Sequence, residues 1–391
     1  MKSRQSVALV GGATAFSLLG DQALYAILPT YYEALGLLPI QVGILLAANR
    51  FVRVFINHGV ERLSRRYPPR WLLAVALAGG ALLSAVYALL PFFSVLLLAR
   101  LLWGVCWSFI RQIGITTVVD SVEAGQLGRS MGLYGLLTRL GSVSGNFIGA
   151  LGHDLIGFSG IMLVFALVSS LAVPLGPLAR RSLPVGGGDL REKTPSRSAG
   201  LGLVFGGFTL GFVGQGMILS SLGLVLKEAV GDGLNIAGIF VGVASLTGAM
   251  MSSRWLVDLT APWLGAFGDR VGRRTAGAIF FTFGALALAL AALGTDLLWL
   301  AAAVLLFFFC AAGAAVAMAA EAGSRGARAV ASYATASDAG ACVGPILAWT
   351  MPEFELPTEM IFVWGGLFYI VAGVVAGFTF ERRNEYLDGG A

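Results

Sequence analysis

Eight ionisable residues stand inside long apolar stretches of this sequence. The acids are Asp21, Asp258 and Asp338; the bases are Arg50, Arg53, Arg111, Arg139 and Arg254. A charge held among hydrocarbon groups is costly, so such residues mark a function by default. Asp21, in the run SLLGDQALYAILP, is the best placed for proton transfer. A carboxylate shielded from water can load and release a proton, and a neighbouring arginine sets how readily it does so. An anionic solute competing for that arginine would couple the two events. Arg50 and Arg53, three apart, share one face of a helix, whereas Arg254 and Asp258, four apart, can pair along another. Five deep arginines against three deep acids predict a cavity of net positive potential. It would suit an anionic or zwitterionic solute such as a carboxylate, a phosphate or a lysolipid head group. Gln22, Tyr25, Asn49 and Gln215 are candidates to add hydrogen bonds, with Tyr31, Trp107 and Trp255 as aromatic walls.

Other chemistry is poorly served. His58 and His153 are far apart, and Cys106, Cys310 and Cys342 fall within apolar runs without metal-ligand spacing. There is no glycine-rich phosphate loop and no nucleophile elbow. No catalytic residue, metal or cofactor is therefore expected, and neither a membrane enzyme nor a channel is favoured.

The elements that must position these charges follow from composition. Of 391 residues, 57% are hydrophobic and 12% charged, with a mean hydropathy of +0.83. Soluble domains carry about twice that charged fraction. Two soluble domains, a disordered chain and a disulfide-stapled secreted chain are excluded. The runs are long and continuous, where a transmembrane barrel would show short alternating segments. The fold class is thus an all-α polytopic membrane protein. Runs of spanning length lie near 7–32, 40–60, 71–91, 94–117, 131–152, 157–178, 201–226, 235–260 (with a later start as the alternative), 274–294, 297–320, 330–351 and 360–380. With both termini cytoplasmic, the inner loops and tails hold 19 Lys and Arg, and the outer loops hold only Lys227. Outer loops instead carry acids, Asp154 and Glu353 among them. The pI near 9.3 is a topology signal and not a nucleic-acid footprint, because the basic residues are spread over many short loops. The first run is too long for a cleavable signal peptide and has no cleavage site. The expected location is a bacterial inner membrane.

Residues 180–200, RRSLPVGGGDLREKTPSRSAG, have linker composition and divide the chain into an N-terminal six-helix bundle (1–179) and a C-terminal one (201–391). The halves resemble each other. A shift of 204 lays Arg50 on Arg254, Arg66 on Arg270 and Arg70 on Arg274; a shift of 199 lays Tyr134 on Tyr333, Gly141 on Gly340 and Gly145 on Gly344. Internal repeats joined by a linker suit a transporter with a midplane site between halves. Under the 199 shift Arg139 falls on Asp338, so these two can form an ion pair that breaks in one access state.

The run Leu264-Gly265-Ala-Phe-Gly268-Asp269-Arg270-Val-Gly272-Arg273-Arg274 resembles the signature loop of the major facilitator superfamily, between the second and third helices of a half. Helix count, linker and repeat extend that resemblance over the whole chain. It implies two pseudo-symmetric six-helix halves and a gating role for this loop at the cytoplasmic face; the alternative is that Asp269 and its arginines only set topology. The glycines would allow close helix approach, and the acid would meet a neighbouring helix end. In the first half the loop departs from the pattern, with Arg65 in the acid's place and Pro68-Pro69 for glycine and base. Gly132, Gly141, Gly145 and Gly149 resemble the glycine motif of family exporters, although Asn146 and Ala150 depart from it; Gly340-x-x-x-Gly344-Pro345 repeats the stripe. Generic helix packing explains such a stripe equally well. Arg100-x-x-x-Gly104 resembles the family motif for proton transfer, against simple snorkelling to an interface. The family's cavity is surrounded by helices one, two, four, five, seven, eight, ten and eleven. Every deep charge named above lies on one of them.

The expected function is a secondary active transporter working by alternating access, coupled to protons through Asp21 and Arg100. Its solute would be small, organic, and anionic or amphipathic, with export as the favoured direction. The alternatives are uptake or facilitated diffusion of an organic anion, or transport of a lysolipid. Its partners would be solute, protons and lipid bilayer, with no nucleic acid, and the protein would act as a monomer.

Overall fold

Within a bilayer each segment must satisfy its own backbone hydrogen bonds, and long Leu, Ala, Val and Phe runs do so as helices. The computed structural model describes residues 2–122, 126–181, 200–294 and 296–379. Most of the linker expected over 180–200, and the tail with Arg382 and Arg383, lie outside the described residues.

The helices are α1 (Lys2–Tyr31), α2 (Pro39–Arg66), α3 (Pro69–Leu89), α4 (Phe93–Ser121), α5 (Leu127–Ser170), α6 (Ala172–Ala179) and α7 (Leu201–Thr209). Wider π-helical turns over Leu210–Ile218 lead into α8 (Leu219–Val230). After a short hairpin come α9 (Val243–Asp258), α10 (Ala261–Val271), α11 (Arg273–Ala292), α12 (Leu297–Arg325), α13 (Ala327–Glu353) and α14 (Glu359–Thr379). α3 begins on Pro69 at its first position, where a missing N–H is no loss. α12 is capped by Asp296, whose Oδ1 accepts the Trp299 N–H at 2.9 Å.

Nine helical stretches among the described residues are long and apolar enough to cross a bilayer. One of them, Arg129–Ala179, holds two spans. At Gly157 the backbone takes φ 76°, ψ 170°, a left-handed region that glycine enters without cost. A methyl on Gly149 would lie 3.1 Å from Cε2 of Phe165, a residue that a straight helix would carry roughly 24 Å away. The two arms therefore fold back on each other. With α13 and the broken span α9–α10, whose two helices of 16 and 11 residues are each too short alone, the twelve expected spans are present.

The eighth span departs from the expected 235–260. Residues 233–242 form an antiparallel hairpin of β1 (Gly233–Ile236) and β2 (Ile239–Gly242), with Ile236 paired to Ile239. The two turn residues, Ala237 and Gly238, both have positive φ, at 52° and 85°, as a tight hairpin turn requires. The span begins at Val243, breaks at Leu259-Thr260 and resumes as α10. The apolar run extended the expected helix because Ile239, Phe240 and Val241 suit a strand equally well.

Packing forms two compact units from the described residues. The first comprises Met1–Leu37, Ala48–Arg191 and Asp232–Ser252; the second comprises Leu38–Ala47, Glu192–Gly231 and Ser253–Ala391. In the first, α1 packs chiefly on α5, and Arg180 at the end of α6 is buried against α4. Its Nη2 donates to Asp120 Oδ2 at 2.8 Å and its Nη1 to Thr117 Oγ1 at 2.8 Å. In the second, α11 packs between α12 and α14, and α13 lies on the π-helical turns. Glu321, near the end of α12, accepts from Arg325 at 2.7 Å and pairs with Arg273 at 3.8 Å.

A buried carboxylate–guanidinium site in the first unit

Three helices meet at Asp21, and glycines let them come close enough. On α5, a methyl at Gly141 would run into the Ala15 backbone. One at Gly145 would meet Gln22 Cβ at 2.7 Å and Leu19 O at 2.8 Å, and one at Gly149 would meet Ala23. The stripe thus holds α5 against the face of α1 formed by Ala15, Leu19, Gln22 and Ala23, and Gln22 in turn bonds Asp21. On α4, a methyl at Gly104 would meet Asn49 Cα of α2 at 3.0 Å. Arg100 lies one helical turn before this contact, so the same approach delivers Arg100 and Asn49 together. Gly104→Leu is expected to separate α4 from α2 and lower stability by about 1–3 kcal/mol as over-packing does. Thermal denaturation of the purified variant would check this, and an unchanged midpoint would contradict it.

Asp21 is 5% exposed and Arg100 1%. Asp21 Oδ1 accepts from Arg100 Nη1 in an ion pair and from Asn49 Nδ2 at 3.3 Å, while Oδ2 accepts from Gln22 Nε2 at 3.2 Å. Arg100 Nη2 donates to the Tyr25 hydroxyl at 3.2 Å, and that hydroxyl donates to Asn49 Oδ1 at 3.4 Å. Arg100 also lies 5.3 Å from the Tyr25 ring centre, and Arg50 lies 5.7 Å from the same ring. The snorkelling alternative for Arg100 is set aside by this geometry, since its head group is enclosed and paired. A buried ion pair of this kind is held by its accessory hydrogen bonds, and losing either charge leaves the other uncompensated.

Tyr87 on α3 was not anticipated. It is fully buried, with its hydroxyl beside the Arg100 guanidinium and within electrostatic reach of Asp21. A lone aromatic in an apolar run carries no sequence signal that separates it from packing.

The other candidates are distributed as follows. Arg53 on α2 is half-buried; Arg111 on α4 and Arg139 on α5 are exposed. In the second unit, Arg254, Asp258 and Asp338 are half-buried, and Arg254 lies 5.8 Å from the Trp255 ring centre. Gln215 sits within the π-helical turns, half-buried, between Gly214 and Gly216. Turns of this kind often mark functional sites. Methyls at Gly340 and Gly344 of α13 would strike the backbone at Phe208 and Phe212, and Pro345 is buried on the same helix beside Gly43.

The signature loop spans the end of α10 and the start of α11. Gly272 has φ 89° and is required by the backbone there. Gly265 and Gly268 correct the expectation of close helix approach. Methyls there would find their nearest neighbours, Val316 and Ala276, at an ordinary 3.7 Å. Asp269 is exposed, without an ion pair or hydrogen bond among the described residues, so the expected contact with a helix end is not made here. Arg270 is exposed as well, Arg274 is half-buried, and Arg273 reaches Glu321.

Solved structures share the fold. A bacterial homologue of the human lysosomal transporter Spinster, in an inward-facing and occupied conformation, superposes with a TM-score of 0.78 over 96% of each chain at 13% identity. The nucleoside transporter NupG superposes with a TM-score of 0.76, covering 97% of this chain and 100% of that one at 14% identity. No curated protein sequence matches the chain. Residues 10–345 match the family described as the Major Facilitator Superfamily. This chain belongs to that superfamily of membrane transporters.

Proposed function

We propose that the protein is a proton-coupled secondary transporter of a small anionic or amphipathic organic solute, working by alternating access. Both termini would be cytoplasmic, and the six-helix halves would be the moving bodies. The observation that carries this reading is the enclosed Asp21–Arg100 pair with its hydrogen-bonded ring of Asn49, Tyr25 and Gln22. While Asp21 is ionised, it occupies the guanidinium. Protonation removes the charge it offers, and Arg100 is then available to an anionic group. Solute and proton thereby act on one arginine, which is the linkage that coupled transport needs. Arg50, on the same tyrosine ring, supplies a second positive charge at the site.

Transport in either direction is compatible with this chemistry. The resemblance to exporters favours efflux by antiport, although the packing of Gly141, Gly145 and Gly149 on α1 accounts for those glycines without reference to direction. The deep charges suggest offering carboxylates and lysophospholipids first, and the fold-sharing nucleoside transporter NupG adds nucleosides.

A thermal-shift screen of the purified protein against uridine, lysophosphatidylglycerol, citrate and common cationic drugs tests the solute class. A lysophospholipid or carboxylate is expected to raise the melting temperature, and Arg50→Ala is expected to abolish the rise. Stabilisation by the cationic drugs alone, undiminished in Arg50→Ala, would overturn the anionic reading.

A further inference from the structure

Two acids outside the buried site make the same contact at matching places in the repeat. Asp154 lies near the end of the first arm of α5, and Glu353 is the last residue of α13; the same 199-residue shift that aligns the fifth and eleventh spans lays one on the other. Asp154 Oδ2 accepts from the Ser245 backbone N–H at 3.0 Å and from its hydroxyl at 2.5 Å. Ser245 is the third residue of α9. Glu353 Oε2 accepts from the Ile40 N–H at 3.0 Å, and Ile40 is the second residue of α2.

The first N–H groups of a helix have no partner inside it, and their summed dipole favours an anion. Helices are ordinarily capped by a residue just before them, as Asp296 caps α12. Here each cap comes instead from a distant helix. Asp154, in the first half of the sequence, holds a helix of the second half; Glu353, in the second half, holds a helix of the first. By span count both contacts fall at the membrane face remote from the N-terminus. The close approach is built in at Gly242, where a methyl group would collide with the Asp154 carboxylate. That position has an ordinary backbone conformation, so its lack of a side chain serves the contact and not the turn.

We propose that Asp154 and Glu353 are paired latches that hold this face closed, and that each must release its helix N-terminus for the face to open. The inference rests on the alternating-access reading. Because the latches act in parallel at separate places, their contributions add, and the open fraction multiplies.

The test uses the full chain in nanodiscs, with Cys106, Cys310 and Cys342 replaced by alanine and spin labels introduced in pairs. Leu155→Cys with Ile239→Cys reports on the first latch, and Leu38→Cys with Phe354→Cys on the second; all four positions are exposed. A third pair, Leu133→Cys with Trp263→Cys, reports on the opposite face. Asp154→Ala and Glu353→Ala are each expected to raise the long-distance population of their own pair about tenfold, the loss of one charge-assisted hydrogen-bonded contact. Together they should raise it about a hundredfold, with the third pair shortening in step. Gly242→Ala should reproduce Asp154→Ala without removing any charge, which separates a latch from a general loss of stability. Asp296→Ala, which removes a cap within one half, should change neither outer pair. Unchanged outer distances alongside two populations in the third pair would overturn the latches and leave the transporter reading intact. A single distance in every pair and every variant would overturn both.

Discussion

Asp21→Asn is expected to abolish proton-driven solute movement in proteoliposomes, while the purified variant stays folded with a melting temperature below the parent's, because the buried Arg100 loses its countercharge. Asparagine has nearly the shape of the protonated carboxyl and can still accept from Arg100 and Asn49, both of which bond Asp21 in this structure. It therefore copies a state that a proton-coupled cycle must visit, and holds the protein in it. Exchange of solute down its own gradient should survive, because that movement needs no proton release. Accumulation against a gradient should fall to the leak of empty liposomes. Unchanged accumulation under an imposed pH gradient would show that coupling lies elsewhere, with half-buried Asp258 and Asp338 the next carboxylates to replace.

Removing the other partner should damage stability as well as coupling. Arg100→Ala leaves a carboxylate with 5% exposure facing a void, with only the Asn49 and Gln22 amides to hold its charge. Breaking a buried pair from one side costs about 3–5 kcal/mol. In the double variant Asp21→Asn/Arg100→Ala most of it should be recovered. Chemical denaturation in detergent measures both outcomes. A double variant as weak as the sum of the singles would mean that the residues do not act as a pair.

The sequence made the membrane fold legible because charge is so scarce that its placement reads as topology. It also made Asp21 and Arg100 legible one at a time, the first as a lone acid in an apolar run and the second through its spacing to Gly104. Their contact was not legible, because it depends on how closely α4 approaches α2, and a glycine states only that approach is allowed. The hairpin at 233–242 was hidden because β-branched and aromatic residues serve helix and strand alike in an apolar run. The π-helical turns around Gln215 have no periodicity of their own; glycines at 211, 214 and 216 relax the helix without announcing how. Asp154 and Glu353 were visible as outer acids, and the repeat already aligned them. What was missing was the helix N-terminus beneath each, which only the fold brings near.

The turn at Gly157 has a consequence for how the chain is made. The fifth and sixth spans are joined by a single non-helical residue, so no length of loop exists in which one span could settle in the bilayer while the other waited outside. The only charges close to that turn are those of Asp154 and the neighbouring His153 when protonated, so carrying the turn across the membrane moves little charge through lipid. During synthesis the pair would enter as one folded hairpin, and the glycine stripe that later receives α1 would be delivered with its backing helix already in place.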